Sequence, residues 1–80
     1  VTKCTFFVNG DDGVPYNIAS AGFPQIVRMT KPSVGDTVTI ECADKSIRLE
    51  VISVETKVWV GEFGESSELV EVESEEMKTW

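Results

Sequence analysis

Histidine is absent from this 80-residue chain, and with it go the commonest general base and the commonest metal ligand. Most hydrolase and metalloenzyme chemistries are thereby disfavoured. Cysteine is scarce: Cys4 and Cys42 are the only two, too few soft donors for a zinc site. Both fall on the apolar phase of a predicted strand, Cys4 with Phe6 and Val8 and Cys42 with Val38 and Ile40. They read as small buried hydrophobes in reduced form, with a disulfide between them as the alternative. In apolar surroundings neither is activated as a nucleophile. No run approaches the ~18 apolar residues that span a bilayer, and Val1-Thr2-Lys3-Cys4 lacks a secretion-signal core, so a soluble, cytoplasmic protein is expected. The six glycines form neither a dinucleotide fingerprint nor a phosphate-binding loop. No cofactor is expected.

Positive charge is nearly missing from the last quarter. Residues 1–60 hold seven acids against six bases, whereas 61–80 hold Glu62, Glu65, Glu68, Glu71, Glu73, Glu75 and Glu76 against Lys78 alone, which supplies −6 of the net −7. Phosphate backbones and anionic membrane surfaces would be repelled, so neither direct nucleic-acid binding nor membrane binding is expected. What is present suffices for one small core: 41% of residues are hydrophobic, including seven aromatics. A domain of this length covers only about 60–65% of its unfolded surface, so each large apolar side chain matters.

The local patterns are mostly β. Lys3–Val8 reads as a strand, and Asn9-Gly10-Asp11-Asp12-Gly13 as a turn rather than a calcium loop, since it lacks alternate ligand spacing and a distal Glu. Val14–Gly22 is ambiguous: Pro15 and Gly22 suit a helix start and stop, but Tyr16–Ser20 alternates, favouring a strand or irregular edge. Gln25–Thr30 is a short strand. Thr37–Cys42 alternates without fault, with Val38, Ile40 and Cys42 inward, and Ala43–Ser46 turns the chain. In Ile47–Val60 the apolar parity switches from Ile47, Leu49 and Val51 to Ile52, Val54, Val58 and Val60, which predicts a bulge near Val51-Ile52. Glu68–Glu73 closes the sheet. The core is expected to contain Phe6, Val8, Val38, Ile40, Leu49, Val54, Val58 and Val70. One domain over 1–73 and an acidic tail over 74–80 follow.

Pro32–Ile40 followed by Ile47–Val54 resembles the turn and paired strands of many SH3-like small barrels. The expected fold is therefore all-β: a small SH3-like barrel or strongly twisted antiparallel sheet of five to six short strands, with room for one short helix.

No catalytic constellation stands out. Glu41 and Glu50 could face each other across a hairpin as an acid/base pair, but a solvated outer face explains them better. Phe7 and Trp59 fall on the phase opposite the core, and Phe63 lies in a loop. Such apolar exposure on a small protein marks an interface, or a surface covered by the chain's own tail or loop. The expected function is a non-enzymatic protein-interaction or accessory module, of a type suited to phages and other mobile elements. Phe7, Trp59, Phe63, Glu71, Glu73 and Glu75 are the candidate contact residues for a basic protein partner or a homodimer. The alternative is a small-ligand-binding β-barrel with Tyr16, Phe23 and Trp59 lining a mouth.

Overall fold

Alternation of apolar and polar residues with period two produces a curled, half-barrel sheet in the computed structural model, which describes residues 1–77. Six strands form in chain order: β1 (Thr2–Asn9), β2 (Pro15–Asn17), β3 (Val27–Met29), β4 (Thr37–Cys42), β5 (Lys45–Val60) and β6 (Ser66–Glu76). A single 3₁₀ turn, Ile18–Ala21, follows β2. The sheet order is β2-β1-β6-β5-β4, and β3 also pairs with β1. Strand β2 lies along Phe7–Asn9 and β3 along Thr2–Cys4. No helix among the described residues is long and apolar enough to cross a membrane.

The core lies on one face of the sheet. It joins Cys4, Phe6 and Val8 of β1 to Val70 and Val72 of β6 and Ile47, Leu49 and Val51 of β5, with Ile40 of β4 and, from the β2–β3 connection, Ile18 and Phe23. Ser74 is also fully buried, and its hydroxyl donates to the Phe7 carbonyl at 2.9 Å, which satisfies it. The 3₁₀ turn is held at both ends. The Asn17 side chain accepts from the Ala19 amide at 2.9 Å, and Gly22, at φ 91°, donates back to its carbonyls. Lys45 ties this segment to the β4–β5 hairpin: its ammonium donates to the Ala21 carbonyl at 3.2 Å and lies 5.6 Å from the Phe23 ring centroid.

The parity switch in β5 is a bulge. The β5–β6 register slips between Val51 and Ser53, so that Val51 faces Ser74 while Val54, Thr56, Val58 and Val60 face Val72, Val70, Glu68 and Ser66.

Several expectations need correction. The sheet is mixed, because β1 and β6 run parallel, Cys4 beside Val70 through Asn9 beside Glu75. The two strands are far apart in sequence, so no tight turn dictates their direction, and this pairing aligns their apolar phases. The strands are not all short: β5 has 16 residues and β6 has 11. Strand β6 runs through Glu76, and the Met77 amide donates to the Arg48 carbonyl at 2.8 Å, so 74–76 belong to the sheet rather than to a tail. Residues 78–80 of that expected tail lie outside the described residues. Of the expected core, Phe6, Val8, Ile40, Leu49 and Val70 are buried, Val38 and Val54 are half-buried, and Val58 is 57% exposed.

Val58 is exposed because β4 pairs only with Lys45–Glu50 of β5 and β1 pairs with β6 only over Val70–Glu75, opposite Thr56 and earlier residues of β5. From Lys57 to Val60, β5 continues with Ser66–Leu69 of β6 as a two-stranded arm beyond the core. The radius of gyration is 13.6 Å and the extents are 51 × 26 × 21 Å, whereas a compact chain of this length would have a radius of about 12 Å.

Candidate functional site: the outer face and the β5–β6 arm

Strand pleating sends Thr5, Phe7 and Asn9 of β1 away from the core, together with Glu71, Glu73 and Glu75 of β6 and Ser53, Glu55, Lys57 and Trp59 of β5. The registers make them neighbours: Thr5 lies beside Glu71, Phe7 beside Glu73 and Asn9 beside Glu75, while Ser53 faces Glu73 and Glu55 faces Glu71. Phe7, Pro15, Ser53, Glu55, Glu71 and Glu73 line one open depression on this face.

The acidic row is partly neutralised. Lys57 reaches Glu71 at 3.0 Å, and Asn9 donates to Glu73 at 3.4 Å. The hydrogen bond from Lys57 to Glu71 and the attraction of that carboxylate, with a smaller contribution from Glu55, hold the ammonium above its ordinary pKa.

Of the candidate contact residues, Phe7, Glu71, Glu73 and Glu75 are brought together. Trp59 shares their face but lies six residues along β5 from Ser53, roughly 20 Å away at strand rise. Phe63 sits at the arm's tip, between β5 and β6. The arm is exposed throughout and most at its tip: 57% at Val58, 52% at Trp59, 70% at Val60 and 92% at Phe63. Both faces of the arm thus carry exposed apolar side chains, Trp59 on one and Val58 with Val60 on the other. Val58, expected in the core, is a surface residue, and so is Val60 beside it. The available signal was a length mismatch, since a six-residue β4 cannot cover the long apolar run after Lys45.

Other constellations do not assemble. Glu50 lies opposite Thr37 and Glu41 opposite Ser46, so the carboxylate pair is not face to face. Asn9–Gly13 is a turn in which Gly13 donates to Gly10 at 2.9 Å, and Asp12 accepts from the Val14 amide at 3.0 Å. No group of three or more metal-ligating side chains occurs among the described residues. Tyr16 packs against the core and Phe23 is buried within it, whereas Trp59 projects from the opposite face, so these three do not share a mouth. Cys4 and Cys42 are free thiols, the first buried and the second half-buried. Burial raises the Cys4 pKa, and the Lys31 charge offsets this in part.

The chain matches no protein-family model, no curated protein and no solved structure.

Proposed function

We propose that the protein is a non-enzymatic protein-interaction module whose contact surface is the β5–β6 arm, continued by the acidic outer face of β6. The observation that carries this reading is the exposure of Val58, Trp59, Val60 and Phe63 on one projecting hairpin. Apolar side chains concentrated outside the core cost solvation and are typical of surfaces covered in a complex. Trp and Phe are among the residues that contribute most when a partner covers them. Glu71, Glu73 and Glu75 at the arm's base suit a partner with a basic rim, and such charges act more on association rate than on affinity. An accessory protein of a phage or other mobile element is a natural setting for a module of this type.

The test uses the protein as bait in extract of its native host, with Trp59→Ser/Phe63→Ser as one variant and Glu71→Lys/Glu73→Lys/Glu75→Lys as another. Loss of the captured proteins from the first, and weaker, less salt-sensitive capture by the second, are expected. Retention of every partner by both folded variants would refute the proposal.

A further inference from the structure

The structure assigns one occupant to the arm: we infer that the free edge of β5 pairs antiparallel with the same edge of a second copy, about a two-fold axis at Thr56. This rests on the reading of the arm as an interaction surface and names its partner.

The first observation is the backbone. Beside β5, the chain that leads into β4 extends only to Val51, whose amide donates to Asp36 at 2.9 Å and whose carbonyl accepts from Gly35 at 2.8 Å. From Ile52 to Val60 the outer edge has no strand partner among the described residues. Gly61 donates to Glu65 at 2.7 Å, and hydrogen-bonded pairs alternate along an antiparallel ladder. Hence Trp59, Lys57, Glu55 and Ser53 direct their amides and carbonyls to β6. Val60, Val58, Thr56 and Val54 direct theirs outward. An unpaired row of this kind is a template for another strand.

The second observation is charge. Between Ile52 and Val60 the only ionisable side chains are Glu55 and Lys57. A two-fold pairing centred on Thr56 sets Glu55 opposite Lys57 of the second copy, twice by symmetry. The neighbouring registers with the same hydrogen-bond parity set Lys57 against Lys57 or Glu55 against Glu55. Within its own sheet Glu55 already faces Glu71, so the second copy brings a cation to its other side. One lysine on an edge ordinarily discourages pairing, but Glu55 two residues earlier makes this edge complementary to itself.

The third observation is length. Thr56 is the midpoint of the free edge, so the register chosen by charge is also the one that pairs all of it. Val54 then meets Val58, and Ile52 meets Val60, placing the exposed apolar side chains against one another. The tip bearing Phe63 reaches the place where the second copy's β4 connection begins, beside exposed Val34.

The test is light scattering with sedimentation on the full chain across micromolar concentrations. Wild type should dimerise. Lys57→Glu and Glu55→Lys should each weaken self-association about tenfold or more, since two attractive pairs become repulsive. The double variant Glu55→Lys/Lys57→Glu should restore it, with Lys at 55 facing Glu71. Mixing the two single variants should give a heterodimer. Should the charge variants unfold, Thr56→Pro gives a second route, because it removes only an outward amide. It should remain folded by circular dichroism and be monomeric. A wild type that stays monomeric at high micromolar concentration overturns the inference, and so does dimerisation unaffected by every folded variant. A monomeric wild type whose Trp59/Phe63 variant still loses captured partners would overturn self-pairing while leaving the interaction module intact.

Discussion

Replacing Leu49 and Val58 by alanine, one at a time, asks whether the arm lies outside the core. Both residues belong to β5, yet Leu49 is fully buried and Val58 is 57% exposed. Leu49→Ala removes three carbons, worth about 2.4 kcal/mol at ~0.8 each, and the residual cavity raises the cost to about 3–4 kcal/mol. Val58→Ala removes two carbons from a side chain less than half covered, a loss of about 0.7 kcal/mol, with a few tenths more for strand propensity. For a domain of this size the melting temperature moves by about 4–8 °C per kcal/mol. Leu49→Ala should therefore lower it by about 12–32 °C, against about 4–8 °C for Val58→Ala. Urea unfolding at concentrations where scattering reports monomer gives the free energies directly. Equal costs for the two variants would place Val58 inside a closed core and refute the projecting arm.

Other expectations follow from particular contacts. Ser74→Ala removes the buried hydroxyl that donates to the Phe7 carbonyl and should cost about 1–3 kcal/mol in urea unfolding. Ala43 adopts φ 55° in the β4–β5 turn, so Ala43→Gly should leave stability unchanged or raise it by up to about 1 kcal/mol. Under native conditions a thiol reagent should modify half-buried Cys42 well before buried Cys4; equal rates would contradict the packing of β1. The Cys4 pKa is raised on folding, so the folded state holds its proton longer than the unfolded one. That contribution is complete below the ordinary thiol value of the unfolded chain and is lost as pH rises through the raised folded value. Wild type should thus lose more stability than Cys4→Ala between neutral and alkaline pH.

The sheet was largely legible because its strands announce themselves by alternation. Thr37–Cys42 matches β4 end to end, and the parity change after Val51 marked the bulge that the register shows. What was not legible depends on tertiary pairing. Val54 and Val58 share one parity, and the end of the β1–β6 ladder at Val70 separates a half-buried residue, whose partner Val72 lies beside Phe6, from an exposed one, whose partner Glu68 lies beyond it. Ser74 and Glu75 looked like the start of a solvated tail because Glu surrounds them, yet β1 offers a partner through Asn9 and draws Ser74 into the core. The direction of β1 against β6 likewise carries no local signature. At the candidate site, Phe7, Glu71, Glu73 and Glu75 share a face as period two requires. The distance to Trp59 and the free edge beside it follow from strand lengths.

Residue-resolved amide exchange, recorded in dilute and concentrated solution, tests the open edge most directly. In dilute protein the amides of Val54, Thr56, Val58 and Val60 should exchange fast and those of Glu55, Lys57 and Trp59 slowly. On concentration the fast set should become protected, Thr56 and Val58 foremost. Fast exchange of the outward amides at every concentration would contradict the paired edge, and slow exchange of them in dilute monomer would contradict the free arm itself.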